Sequence, residues 1–217
     1  NLAAYAKGNG DDGKNNVLNK APGSEGAGFW GHGSGSTFAD NVSLCCRIGQ
    51  SFVHIDPVMG RSIPSIPGGE NDTPFDPTES KPLSHKRNIS FACGTGLEEW
   101  RFPDGWTAED FTVVNASRAV FMGAGEGGSF KAVNPRFINP VQRPYQTTWG
   151  VHCSEAYSGH MTLVGGVIEG FTYGSGDARR YDITGTRFKS TDTDLTWTGV
   201  GGHMLYPFAI TDAVLEG

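Results

Sequence analysis

Six short segments of the chain share one pattern of apolar and polar positions. Two apolar residues flank a small or polar one, a Cys, Asn or Gly follows, and another apolar residue often comes two or three places later. The segments are Val42-Ser-Leu44-Cys-Cys46-Arg-Ile48, Ile89-Ser-Phe91-Ala-Cys93, Phe111-Thr-Val113-Val-Asn115, Phe130-Lys-Ala132-Val-Asn134-Pro-Arg-Phe137, Met161-Thr-Leu163-Val-Gly165-Gly-Val167 and Tyr181-Asp-Ile183-Thr-Gly185-Thr-Arg-Phe188. Alternation of period two predicts short strands that bury one face. With the marker at residues 46, 93, 115, 134, 165 and 185, the intervals are 47, 22, 19, 31 and 20. Three of these fit one rung of a repeating stack, 31 fits a rung with an inserted loop, and 47 fits two rungs or one rung with a long excursion, the latter favoured by the proline-rich stretch it contains.

Such rungs expose backbone donors and acceptors above and below, and only another rung satisfies them, at a spacing of about 4.8 Å. The marker falls where the chain must turn sharply, and Asn and Gly accept left-handed backbone there. Asn115 and Asn134 are expected to ladder from rung to rung. The predicted fold is therefore all-β, a right-handed parallel β-helix (a solenoid) with inserted loops, in which the alternating apolar residues point inward. The alternative is a β-sandwich or jelly roll, which also shows short strands and frequent turns. Residues 1–217 read as a single β-helix section of a longer chain, with 57–87 as a Pro-rich loop insertion: Pro57, Pro64, Pro67, Pro74, Pro77 and Pro82 crowd a stretch that cannot be a central strand. Neither end carries an obvious polar cap, so neighbouring domains or subunits are expected at the coil ends.

Composition narrows the setting. Glycine reaches 32 of 217 residues, without a three-residue period, and the aromatics are too many for a disordered chain. The net charge of −6 and the dispersed basic residues argue against nucleic acid as a partner. No stretch approaches the ~18 apolar residues of a membrane span. Cys45, Cys46, Cys93 and Cys153 form no CxxC pair, so no metal site and no cofactor is implied. Sequons at Asn41, Asn71, Asn88 and Asn115 predict glycosylation, and with it a secreted or cell-surface protein.

Three stretches, "NLAAY" (1–5), "NNVLNKAPGSEGAGFWGHG" (15–33) and "FADNVSLC" (38–45), resemble the β-helix regions of the cell-surface hyaluronidase, the hyaluronan-binding cell-migration-inducing protein and the fibrocystins. "LEEWRFPDG" (97–105) is a weaker echo, and the similarity covers residues 1–60 and 88–125. The resemblance implies a large extracellular or membrane-anchored parent with a parallel β-helix, in a family that holds both hyaluronan-cleaving enzymes and receptors.

One constellation invites an enzymatic reading. Asp11-Asp12, Gly31-His32-Gly33 and Arg47-Ile48 are similar to the Asp pair, Gly-His-Gly and Arg-Ile-Lys of polygalacturonase-type β-helix hydrolases, although Gly49 stands where that pattern has Lys. Asp11 and Asp12 would serve as general acid and base, with His32 beside them, and Asp40 lies near in sequence. The plainer reading makes Asp11 and Asp12 turn residues. His54 with Asp56, and His152 with Glu155, place polar groups on strands without a nameable third metal ligand. Trp30, Trp100, Trp106, Trp149 and Trp197 stack on sugars if they face outward and fill the core if they face inward. The expectation is an extracellular glycosylated module with a structural or recognition role, through glycan contact or self-assembly. The alternative is a glycoside hydrolase or lyase acting on a hyaluronan- or pectin-like polymer.

Overall fold

The computed structural model describes residues 1–6, 26–32, 37–53, 83–100, 105–122, 129–140, 147–153, 160–176, 180–189, 209–212 and 214–216. These form β-strands and no helix, in three sheets whose pairings are all parallel. Sheet A contains, in spatial order, β1 (Leu2–Ala4), β4 (Val42–Leu44), β7 (Ile89–Phe91), β10 (Thr112–Val114), β13 (Arg136–Ile138), β16 (Val167–Glu169), β19 (Arg187–Lys189) and β21 (Val214–Glu216). Sheet B contains β2 (Ala27–His32), β5 (Ile48–Val53), β8 (Thr95–Trp100), β11 (Arg118–Met122), β14 (Trp149–Cys153) and β17 (Tyr173–Gly176). Sheet C contains β3 (Thr37–Ala39), β6 (Leu83–Lys86), β9 (Trp106–Glu109), β12 (Ser129–Val133), β15 (His160–Val164), β18 (Arg180–Thr184) and β20 (Ala209–Thr211). The chain visits A, B and C in turn, and from β4 to β19 each strand pairs with the strand three before it. An antiparallel sandwich or jelly roll does not produce this pairing among the described strands.

The passage from sheet C to sheet A is always two residues long. Its first residue is left-handed in every circuit: Asp40, Arg87, Asp110, Asn134, Gly165, Gly185 and Asp212. The ladder continues through the corner, since Arg87 N–H donates to Glu109 O and Asn134 N–H to Val164 O, at 2.9 and 2.8 Å. A second left-handed position, at Tyr5, Cys45, Ala92, Asn115 and Gly170, leads from sheet A towards sheet B. The Cys/Asn/Gly marker of the sequence thus mixes two corners. Cys46, Cys93 and Asn115 belong to the A-to-B side, whereas Asn134, Gly165 and Gly185 belong to the C-to-A side. The expected ladder between Asn115 and Asn134 does not form, because they sit on different corners.

Side chains stack in columns through the interior. One column on sheet C runs Phe38, His85, Ala108, Ala132, Leu163, Ile183. On sheet A the central residues run Ser43, Ser90, Val113, Phe137, Ile168, Phe188, all buried. From β10 onward the interior is mainly apolar, with Asn139, Thr148 and Thr186 as buried polar exceptions, and it carries most of the hydrophobic core. In the two preceding circuits it is mixed: Asn41, Ser43, Gln50, His85, Asn88, Ser90 and Glu99 are buried beside Ile48, Phe52, Leu97 and Trp106. There the alternation runs opposite to expectation. Ser43 and Ser90 point in, while Ile89 and Phe91 remain 39% and 46% exposed.

Across the interior, sheet B packs closely on these residues. Gly28, Gly49 and Gly96 occupy one position of successive strands, where sheets A and B approach closely. A Cβ on Gly96 would lie 2.7 Å from both methyls of Val113 and 2.6 Å from the carbonyl of Ala119, and one on Gly49 would run into Ser90 Oγ. At Gly49 the neighbours are the Ser90 and Ser43 hydroxyls, and at Gly96 they are the Val113 methyls, so the close approach takes a small side chain of either polarity.

The Pro-rich insertion expected at 57–87 is shorter at its C-terminal end. Leu83–Lys86 form β6, paired with β3 and β9, and Arg87 is a corner. The alternation of Ser84 out and His85 in resumes directly after Pro82. Residues 54–82 lie outside the described residues.

Candidate functional site

The expected catalytic set is not brought together among the described residues. Asp11 and Asp12 lie outside them. His32 ends β2 in sheet B. Asp40 is a C-to-A corner residue, gripped by Arg87 of the next circuit through two hydrogen bonds, Nε to Oδ1 at 2.8 Å and Nη2 to Oδ2 at 2.7 Å. The bonded guanidinium holds the Asp40 carboxyl below the usual carboxylate range. His54, Asp56 and Glu155 lie outside the described residues, and no group of three or more His, Cys, Asp or Glu able to hold a metal occurs within them.

The sequon asparagines divide. Asn41 and Asn88 are buried in a polar ladder at the C-to-A corner. Asn1 Nδ2 donates to Asn41 Oδ1 at 2.8 Å, Asn41 Nδ2 and backbone N–H donate to Asn88 Oδ1 at 3.1 and 2.9 Å, and Asn88 Nδ2 donates to Phe38 O at 2.9 Å. A glycan on either buried nitrogen would have to displace this ladder. Asn115 is partly exposed at a left-handed corner, and Asn71 lies outside the described residues.

Cys46 and Cys93 occupy the same corner of successive circuits, buried, while Cys45 is exposed; all three are free thiols. Burial pushes the Cys93 thiol up to about 11, so it is protonated at neutral pH.

Next to the Asn ladder lies a second buried polar group. His85 Nε2 and Glu99 Oε1 are 2.9 Å apart, with the two side chains 0% and 1% exposed. Phe52, Trp106 and Phe111 set their rings edge-on to the imidazole, and Phe38 stacks on it. Burial lowers His85 to about 3 and raises Glu99 well above its ordinary value. Both shifts favour neutral forms, which share one hydrogen bond between His85 Nε2 and Glu99 Oε1. The pair lies in the interior, beyond the reach of a substrate in the described fold.

The chemistry that faces outward lies on sheet B. Val120, Met122 and Val151 point in and are buried, which turns Phe121 and His152 out. The Arg118 guanidinium sits 4.9 Å over the Phe121 ring, Phe121 and His152 have ring centroids 5.4 Å apart, and Trp149 stacks on His152 at 4.5 Å with 16° between planes. All four side chains are half-buried. Trp30, Ser51 and Glu98 continue the Phe121–His152 row across β2, β5 and β8. The result is a ledge of aromatic faces with a cation at one end, suited to a flat ring that has an apolar face and a polar rim. Sequence reasoning named Trp30, Trp149 and His152 singly. The small residue at the second position of successive sheet B strands (Gly28, Gly49, Gly96, Ala119, Gly150 and Gly174) is the signal that would have aligned them.

No protein-family model, curated protein or solved structure matches the chain.

Proposed function

We propose that the chain is a section of a right-handed parallel β-helix serving as an extracellular recognition module, and that it contacts glycans through the outer ledge of sheet B. The cyclic order of the three parallel sheets supports the helical reading. The observation that carries the function is the continuous stack of Arg118, Phe121, His152 and Trp149 on an outer face. Pyranose rings present an apolar face to such a surface and hydroxyls to its rim, where Glu98 and Arg118 stand. The resemblance of residues 1–60 to the hyaluronan-associated β-helix proteins points to the same ligand class. The hydrolase alternative draws no support from the described residues, since Asp40 is engaged by Arg87 at a corner.

Titration of the chain with hyaluronan, homogalacturonan and cello-oligosaccharides, followed by tryptophan fluorescence and calorimetry, tests this reading. Saturable binding of at least one polymer, weakened tenfold or more by Trp149→Ala, is expected, with no rise in reducing ends. Failure of all three to bind, or binding indifferent to Trp149→Ala and His152→Ala, overturns it.

A further inference from the structure

The corner that leads from sheet A towards sheet B stacks Ala6, Cys46, Cys93 and Ala116 from one circuit to the next, with Arg47 N–H on Ala6 O and Ser117 N–H on Gly94 O beside them. Cys46 and Cys93 are direct neighbours in this column. Leu44 pairs with Phe91 two residues before them, Cys45 and Ala92 are both left-handed at φ 53°, and Gly94 N–H donates to Cys46 O at 3.1 Å just beyond. The register therefore runs through the corner and sets one cysteine on the other. Both are 3% exposed.

The two thiols occupy equivalent places one circuit apart. Cys46 Sγ lies 3.3 Å from Leu44 O and 4.0 Å from Ala3 O, and Cys93 Sγ lies 3.5 Å from Phe91 O and 3.8 Å from Ser43 O. Leu44 is the register partner of Phe91, and Ala3 is that of Ser43. Each sulfur thus leans towards the preceding circuit. For Cys93 that circuit holds Cys46, whose backbone hydrogen-bonds to the Cys93 sulfur.

The geometry points to a reversible disulfide between Cys46 and Cys93, a redox-dependent staple across two successive circuits. Stacked residues of a parallel sheet have Cα atoms about 4.8 Å apart, inside the range of about 4.4–6.8 Å over which cysteines bridge. A turn of Cys46 about its Cα–Cβ bond carries its sulfur from the Leu44 carbonyl to the Cys93 sulfur. Cβ atoms at the same spacing of about 4.8 Å lie just beyond the usual range of about 3.5–4.5 Å, so the bond carries strain. Strained bridges are the readily reduced ones, which makes this one reversible. The oxidant is a small-molecule disulfide such as oxidised glutathione. One cysteine thiolate attacks it and releases one glutathione; the other cysteine then displaces the second. The chain loses two hydrogens as its S–S bond forms, and glutathione takes up two electrons and two protons. Both thiols are buried, so the bond forms as the chain folds. It closes the stretch from residue 46 to residue 93, which includes the proline-rich run, and it joins the circuits whose interior is mixed. Restricting so long a loop in the unfolded chain stabilises the folded one. The staple stands on this corner alone and does not depend on the glycan ledge of sheet B.

Refolding from urea in a glutathione redox buffer tests the inference, on the parent chain and on a Cys45→Ser/Cys153→Ser chain in which Cys46 and Cys93 are the remaining thiols. Peptide mapping without reductant is expected to join the Cys46 and Cys93 peptides in both. The urea midpoint of the double variant is expected to rise by about 1 M or more on oxidation and to return with millimolar reduced glutathione. Adding Cys93→Ser is expected to abolish the rise. Two free thiols after refolding in the redox buffer overturn the inference. So does a parent chain that joins Cys46 or Cys93 to another cysteine, or an oxidised chain no more stable than the reduced one. A bridge that reduced glutathione leaves intact overturns its reversibility.

Discussion

Ser43 and Ser90 face each other inside the fold, Oγ to Oγ at 2.9 Å, while Ile89 and Phe91 on either side of Ser90 point to solvent. Ser90 Oγ also lies 2.9 Å from the Gly96 carbonyl and Ser43 Oγ 3.3 Å from the Ile89 carbonyl, so each hydroxyl has a backbone acceptor besides the other. Two hydroxyls thus fill the positions on sheet A that later circuits give to Val113, Phe137 and Ile168.

Gly96→Ala is accordingly expected to destabilise the chain by about 1–3 kcal/mol, the usual cost of overpacking. The added carbon would lie 2.6 Å from a backbone carbonyl, that of Ala119, which cannot swing aside. Val113→Ala in the same chain would relieve only the contact with the two methyls. Urea unfolding of the single and double variants measures both; a Gly96→Ala chain as stable as the parent would refute the narrow gap.

Asn88→Ala is expected to cost about 2–4 kcal/mol, because it strands the buried N–H of Asn41 and the carbonyl of Phe38 together. The same burial bears on modification. In a chain expressed through a secretory route, sugar is expected on Asn115 or Asn71 and not on Asn41 or Asn88. Peptide mass mapping before and after deglycosylation decides, and a glycan on Asn88 of folded protein would contradict the ladder.

The His85–Glu99 pair predicts a stability maximum in mild acid. His85, depressed to about 3 from 6.5, contributes stability that is complete above 6.5 and is lost as pH falls towards 3. Glu99, raised well above 4.5, contributes stability that is complete below 4.5 and is lost as pH rises towards its folded value. Above 4.5 the two slopes oppose each other, so the pair's contribution stops rising there and falls again at higher pH, where only the Glu99 slope remains. Replacing both residues by leucine is expected to remove both flanking slopes. Chemical denaturation at pH 3.5, 5.5 and 7.5 on the parent and the double variant checks this, and identical pH profiles would sink it.

Thiol accessibility gives a fourth outcome. Among Cys45, Cys46 and Cys93, only Cys45 is expected to react with iodoacetamide in native buffer at pH 8, with the other two following on unfolding. Rapid native labelling of Cys93, whose thiol burial holds near 11, would show that the corner opens.

The later circuits are the ones whose arrangement the sequence discloses. Phe111 with Val113, Phe130 with Ala132, and Met161 with Leu163 alternate as expected and are buried as expected. Val42 with Leu44 and Ile89 with Phe91 carry the same alternation and lie outside. Period two says that one face is apolar but not which way it looks. The hydroxyls of Ser43 and Ser90 find their partners inside, in each other and in the Gly96 carbonyl, and such contacts between strands are not written in the alternation. His85 was hidden for a related reason. Its strand follows a proline-rich run, and its partner Glu99 belongs to the neighbouring sheet. The ledge on sheet B escaped because Trp149, His152, Phe121 and Arg118 come from strands 31 residues apart that only the stacking unites.

The unvarying two-residue step from sheet C to sheet A has a consequence for how such a chain can change length. All differences between circuits accumulate elsewhere, so the chain is divisible at equivalent joints. Excising residues 111–134 would join Asp110, itself left-handed, to Pro135, which occupies the place that Phe111 held. Strands β7, β8 and β9 would then meet β13, β14 and β15 with every inward position still inward. A protein built this way can lose or duplicate one whole storey without renumbering the rest.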